Sequence, residues 1–115
     1  HVTLRCCGHF RRLNEKTLLD GYPLPNLKAF TNRMIGAKIF SKVDLTKAFH
    51  QIPLDEQSKI KTTMVSPWGT FWFKRLPMGL KNSAQSFQRV IDHVVAGIPK
   101  LFAYMDDILI HSENE

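Results

Sequence analysis

Leu101-Phe102-Ala103-Tyr104-Met105-Asp106-Asp107-Ile108-Leu109-Ile110 is an apolar run broken once, by two adjacent acids. It reads as two strands, Leu101–Met105 and Ile108–Ile110, joined at Asp106-Asp107. Two-residue hairpin turns favour Asn-Gly, Asp-Gly or Gly-Gly because positive φ is required, so Asp-Asp is a poor choice for that task. Adjacent carboxylates repel, and the flanking apolar strands are expected to draw them toward a low-dielectric region, which is costly without a cation or a proton. A solvated acidic turn is the plain reading of an isolated Asp-Asp pair. A divalent metal site is the sharper one, because Mg²⁺ is a hard cation held by one or two carboxylates together with substrate phosphates.

A partner acid stands upstream. Ile39-Phe40-Ser41-Lys42-Val43-Asp44 reads as a strand with an acid at its end. If this strand neighbours 101–110 in one sheet, Asp44, Asp106 and Asp107 converge at one edge. Three such carboxylates suit two-metal phosphoryl transfer, in which one ion activates the attacking oxygen and the other stabilises the leaving oxygen.

The remaining elements are read from local signals. Val2–Cys6 reads as a short strand. Tyr22-Pro23-Leu24-Pro25 is extended by its prolines. Asn26 caps a short helix with Leu27, Phe30 and Met34 on one face and Gly36 at its end. Leu45–Ile52 begins like a helix that Pro53 cuts off. Lys61–Val65 and Phe71–Leu76 flank Ser66-Pro67-Trp68-Gly69-Thr70 as a hairpin. The clearest helix starts at Asn82 or Ser83. Ala84, Phe87, Val90, Ile91, Val94 and Val95 fall at helical spacing along it, and Gly97 and Pro99 stop it. Mixed strands and helices with two hairpins give an α+β class.

Composition bounds the rest. The chain has 115 residues, 43% hydrophobic and 23% charged, within the ordinary globular range. One domain is the ceiling at this length. The longest uncharged stretch, Thr62–Phe73, contains Pro67 and Gly69 and is too short for a membrane-spanning helix. Cys6 and Cys7 are adjacent, so pairing them requires strain, and a reducing compartment is the default. Net charge is +6, and all of the excess falls in residues 1–50. A basic lobe suits a polyanion such as nucleic acid, and a lysine-rich solvated surface explains it equally well. The chain starts inside one strand-like stretch and stops after another, so a segment of something longer is expected.

Tyr104-Met105-Asp106-Asp107 resembles the Y-x-D-D hairpin of reverse transcriptases. Other segments agree in order and spacing. Phe40-Ser41-Lys42-Val43-Asp44-Leu45 with Phe49-His50-Gln51-Ile52 is similar to the first catalytic aspartate motif. Leu76-Pro77-Met78-Gly79-Leu80-Lys81-Asn82-Ser83-Ala84 with Phe87-Gln88 resembles the loop and helix between the two. Arg11-Arg12-Leu13-Asn14 and Tyr22-Pro23-Leu24-Pro25 are similar to fingers segments. The combination is most similar to the Pol polyproteins of gypsy-type LTR retrotransposons. One Y-x-D-D is weak; five ordered motifs are strong.

The resemblance implies a single partial domain over 1–115, the fingers–palm core with an antiparallel palm sheet packed with helices and no thumb. Residues 1–38 would be mostly fingers, 39–52 the first-aspartate palm motif, 53–76 a fingers hairpin, and 77–115 the palm loop, helix and Y-x-D-D hairpin. It implies an RNA-directed DNA polymerase in retrotransposon replication, inactive as an isolated segment. Asp44, Asp106 and Asp107 would be catalytic and hold two Mg²⁺ ions, for which Mn²⁺ could substitute, with the Leu45 carbonyl as an extra ligand. The dNTP would meet Arg5, Lys47, Ala48, Phe49 and Met78, with Phe49 as the ring that excludes a 2′-hydroxyl. Pro77, Gly79, Tyr104 and Met105 would border the template and primer. Alone, Phe49 would read as core and Arg5 as a solvated arginine; Lys42, Arg75 and Lys81 read equally as surface charge or backbone trackers. Implied partners are an RNA or DNA template–primer and dNTPs, without a membrane, in a Pol polyprotein carrying RNase H, protease and integrase. The implied location is intracellular, in a cytoplasmic virus-like particle. The alternatives are an inactive retroelement remnant that binds nucleic acid non-specifically and a viral RNA-copying enzyme, which Phe49 disfavours.

Overall fold

The computed structural model describes residues 4–114. In chain order the elements are α1 (Arg11–Lys16), α2 (Leu27–Arg33), β1 (Ile39–Asp44), a 3₁₀ turn (Phe49–Gln51), α3 (Glu56–Lys61), β2 (Met64–Ser66), β3 (Gly69–Phe71), α4 (Ser83–Val94), β4 (Leu101–Tyr104) and β5 (Asp107–Ser112). The class is α+β, with antiparallel pairing throughout the two sheets. Contacts divide the chain into two compact units. One holds the residues up to Leu19 and Phe49–Ser83; the other holds Asp20–Ala48 and the residues from Ala84 onward.

The second unit is built on a three-stranded sheet in the order β1-β5-β4. β1 pairs with β5 from Ile39↔Ser112 to Asp44↔Asp107, and β4 pairs with β5 from Leu101↔Ile110 to Tyr104↔Asp107. Side chains alternate between faces along a strand. One face therefore carries Phe40, Lys42 and Asp44 of β1, Phe102 and Tyr104 of β4, and Asp107 and Leu109 of β5. α2 packs on this face through Phe30, which meets Phe102 edge-on at 5.1 Å, and Arg33, whose guanidinium lies 5.8 Å from the same ring. Asn26 caps α2 by accepting from the Ala29 N–H at 2.8 Å, and Gly36 follows at φ +83°, as the sequence predicts. Phe87 and Ile91 of α4 are buried in this unit, as are Phe102, Ala103 and Ile108. Val90 and Val94, apolar at helical spacing, are exposed at 39% and 65%, so the buried stripe of α4 is narrower than its apolar pattern.

The first unit joins α1, α3 and the β2–β3 hairpin. Its buried residues include Phe10, Leu76 and Thr62, and the Phe10 and Phe73 rings meet edge-on at 6.0 Å. The Thr62 hydroxyl donates to the Lys59 carbonyl at 2.6 Å and accepts from the Phe73 N–H at 2.9 Å, so the buried polar group is satisfied at both lone pair and proton. Asn14 holds the 79–81 loop. Its Nδ2 donates to the Gly79 carbonyl and its Oδ1 accepts from the Lys81 N–H, each at 2.9 Å.

Three sequence expectations shift. The hairpin exists but is shorter: Lys61 ends α3, capped at its start by Asp55, and 72–76 lie beyond β3. Residues 4–6 of the expected Val2–Cys6 strand have no regular structure and are exposed; neither sheet includes them, and a strand without a ladder partner has nothing to hold it. Residues 2 and 3 lie outside the described residues. Leu45–Ile52 forms a turn and a single 3₁₀ turn, consistent with the cut at Pro53.

Candidate functional site

Asp44 ends β1 and Asp107 begins β5, and the two are Cα partners across the ladder. Residues directly opposite in a ladder share a face. On the next rung the Leu45 N–H donates to the Asp106 carbonyl at 3.2 Å. Alternation then makes Asp44–Asp107 the rung without mutual backbone bonds, where side chains approach most closely. Facing like charges on such a rung are destabilising. Lys42, two residues before Asp44 and on the same face, answers that repulsion. Its Nζ lies 3.3 Å from Asp44 Oδ1 and 3.3 Å from Asp107 Oδ1.

The electrostatics follow this geometry. The Asp44 carboxyl is held below its usual range, first by the hydrogen bond it shares with the Asp107 carboxyl and then by the Lys42 ammonium. Lys42 is pushed above its usual value by Asp44 first and Asp107 second. The sequence reading draws the acids into a low-dielectric region. The structure corrects this: the Asp44 and Asp107 side chains are 72% and 54% exposed, because they sit at the open end of the sheet rather than under a helix.

The turn is corrected as well. Met105 and Asp106 make it, and Asp107 already pairs in the ladder with both Tyr104 and Asp44. The reason is register. Pairing Tyr104 with Asp107 leaves two residues between them, and Met105 takes the positive φ, +50°. Asp106 is an exposed turn residue. The structure thus brings Asp44 and Asp107 together, and among the described residues no group of three His, Cys, Asp or Glu side chains is gathered as a metal site. Two facing carboxylates already bridged by an ammonium are a donor set that fits a hard divalent cation.

The other predicted residues fall in both units. Tyr104 shares the rung of Asp107 and Asp44 and is 39% exposed. Leu45 is half-buried just after β1. Lys47 is exposed with φ +51°, and Ala48 behind it is buried. These belong to the sheet unit. Arg5, Phe49, Pro77, Met78 and Gly79 belong to the other. There Arg5 is exposed, and Phe49 is half-buried at the start of its 3₁₀ turn. Pro77 is fully buried, with its carbonyl accepting from Ser83 Oγ at 2.8 Å. Met78 is exposed, and Gly79 has φ +94°, a conformation strained for any side-chain-bearing residue.

On the acid face of the sheet an open hollow of about 550 Å³, lined by Leu27, Phe30, Phe102, Tyr104 and Leu109 among others, reaches Lys42 and Asp107. The sequence reading leaves Lys42 as surface charge or a backbone tracker, and the structure places it between the two acids. The available signal was its i−2 spacing from Asp44, which puts both on one strand face. Gln88 is a second residue that the sequence reading leaves without a role. Its signal was a polar residue at the i+1 and i−3 positions of buried Phe87 and Ile91 on α4.

Residues 3–115 match the family described as reverse transcriptase (RNA-dependent DNA polymerase). The retrovirus-related Pol polyprotein from transposon gypsy of Drosophila melanogaster is 43% identical over 108 residues, 92% of this chain and 10% of that protein. The Pol polyprotein from transposon opus of the same fly is 42% identical over 107 residues, 91% of this chain and 11% of that protein. The enzymatic polyprotein of figwort mosaic virus (strain DxS) is 34% identical over 112 residues, 96% of this chain and 17% of that protein. The chain therefore spans between a tenth and a fifth of these relatives. Among solved structures, the foamy viral protease-reverse transcriptase in complex with an RNA/DNA hybrid superposes with a TM-score of 0.76 at 23% identity, over 91% of this chain and 14% of that one. A prototype foamy virus protease-reverse transcriptase gives a TM-score of 0.81 at 22% identity, over 91% and 14% of the respective chains. At that identity the likeness establishes a shared fold.

Proposed function

The chain belongs to the reverse transcriptase family, and on that premise we propose that it forms the nucleotide-transferring core of an RNA-directed DNA polymerase within a longer retroelement Pol polyprotein. The observation that carries this reading is the Asp44–Asp107 rung with Lys42 between its carboxylates. The reaction joins a primer 3′-oxygen to the α-phosphorus of a dNTP. The bond from that phosphorus to the β-phosphate bridging oxygen breaks, pyrophosphate leaves, and the 3′-hydroxyl loses its proton. The template, RNA or DNA, selects the base by pairing.

Asp44 and Asp107, with Asp106 and the Leu45 carbonyl, would hold Mg²⁺, or Mn²⁺ in its place. Bound there, the ions supply charge neutralisation and a more acidic 3′-hydroxyl. Lys42 holds the two carboxylates facing one another until a stronger cation competes. Tyr104 and Met105 flank the acids at the primer end. The backbone around Lys47 and Ala48 offers N–H groups to the triphosphate, and Arg5 offers a planar guanidinium suited to bidentate contact with it. Phe49 excludes a 2′-hydroxyl, Met78 borders the nucleotide, and Pro77 and Gly79 border the template. RNA-templated primer extension by the full-length polymerase tests the reading. Incorporation of dNTPs in Mg²⁺ supports it, and purified, folded enzyme that binds template–primer but extends nothing contradicts it.

A further inference from the structure

β4 is an edge of the sheet, so one side of its backbone has no strand partner among the described residues. The His111 N–H donates to the Lys100 carbonyl at 2.9 Å. Alternation then turns the backbone groups of Phe102 and Tyr104 toward β5 and those of Ala103 and Met105 away from it. The outward pair nearest the turn is the Ala103 carbonyl and the Met105 N–H. Gln88, fully buried on α4, takes both. Its Nε2 donates to the Ala103 carbonyl at 3.0 Å, and its Oε1 accepts from the Met105 N–H at 2.8 Å. One side-chain amide thus closes the open edge as a single rung of ladder would.

The orientation of that amide is fixed from behind. Nε2 also donates to Asp92 Oδ1 at 2.9 Å, and the other oxygen of Asp92 accepts from the Tyr22 hydroxyl at 2.6 Å. A flipped amide would set Oε1 against a carboxylate and a carbonyl at once. Tyr22 is itself held: the Arg89 guanidinium lies 4.8 Å from its ring, and its N–H donates to Asp20, which Arg89 also binds at 2.9 Å. Met105 is a non-glycine at φ +50°, a conformation that persists only when its surroundings enforce it. Asp106 and Asp107 follow it directly.

We propose that Gln88, oriented by Asp92 and Tyr22, is a positioning residue that holds the Met105 turn and through it the two aspartates that follow. Glutamine fits the task because it offers a donor and an acceptor side by side at this reach. Glutamate keeps the length but loses the donors, and asparagine is one carbon short. The functional half of this inference rests on the polymerase reading; the structural half does not.

The test compares full-length polymerase with Tyr22→Phe and Gln88→Glu variants. Tyr22→Phe deletes one hydroxyl and leaves the ring beneath Arg89, so it keeps the fold where Gln88→Glu fails to. Hydrogen exchange over residues 103–106 is read without substrate, and steady-state dNTP incorporation is read alongside it. Loss of one partly buried hydrogen bond is expected to lower protection of the turn about fivefold to tenfold. kcat falls, while the dNTP KM and the template–primer Kd hold. Unchanged exchange at the turn in folded Tyr22→Phe overturns the proposal. Faster exchange with unchanged kcat overturns its functional half. If wild-type enzyme makes no DNA, the polymerase reading fails, and exchange at the turn still decides whether the amide holds it.

Discussion

Asp44 and Asp107 occupy one rung of the β1–β5 ladder, with the Lys42 ammonium 3.3 Å from an oxygen of each. Residues 63 positions apart are thereby fixed on one sheet face by register alone. A slip of one residue would send one of them to the opposite face.

Removing the ammonium exposes the repulsion that it offsets. In Lys42→Met the Asp44 carboxyl is expected to titrate at a higher pH than in wild type, read by carboxyl NMR of labelled polymerase. The sign follows from the shifts. The lowered Asp44 value means that its contribution to folding is complete above the unfolded value of 3.8 and fades as pH falls through the lower folded one. The raised Lys42 value means that its contribution is complete below 10.5 and is lost as pH rises through the higher folded one. An Asp44 titration unmoved by Lys42→Met would disprove the coupling.

Phe49 is expected to act by bulk. Phe49→Ala should leave dNTP incorporation within about tenfold and raise the relative kcat/KM for ribonucleotides by about tenfold or more, the scale of discrimination that side-chain volume supplies. Competition between matched dNTP and rNTP on one template measures it. Unaltered sugar discrimination would return Phe49 to a packing role.

Phe87 is 3% exposed in the core of the sheet unit. Phe87→Ala should lower stability by about 3–5 kcal/mol, while Val90→Ala, on the exposed side of the same helix, should cost well under 1 kcal/mol. Chemical denaturation read by circular dichroism compares the two. Equal losses would mean that α4 buries a different face.

What could be read from the sequence was what local chemistry writes. β1 runs over its expected Ile39–Asp44, α2 begins at its Asn26 cap, and α4 starts at Ser83. α1 escaped because it has no side-chain cap and buries none of its residues, so neither capping nor periodicity marks it. α3 did carry a signal, Asp55 accepting from the Ser58 N–H, masked by the β-branched run that follows. The turn was misplaced by one residue because Tyr104–Met105 and Ile108 look equally strand-like, and only pairing with β1 sets the register. The partnership of Lys42 with Asp107, and the hold of Gln88 on Met105, join residues far apart in sequence and belong to tertiary structure.

Single-nucleotide incorporation by full-length polymerase carrying Asp107→Asn tests the central claim most directly. The substitution keeps size and the ladder and removes one of the two facing charges. Loss of a metal-binding carboxylate should remove several kcal/mol of transition-state stabilisation, lowering the rate by about a thousandfold with template–primer binding retained. A rate equal to wild type in the folded variant would contradict the assignment of the Asp44–Asp107 rung as the catalytic centre.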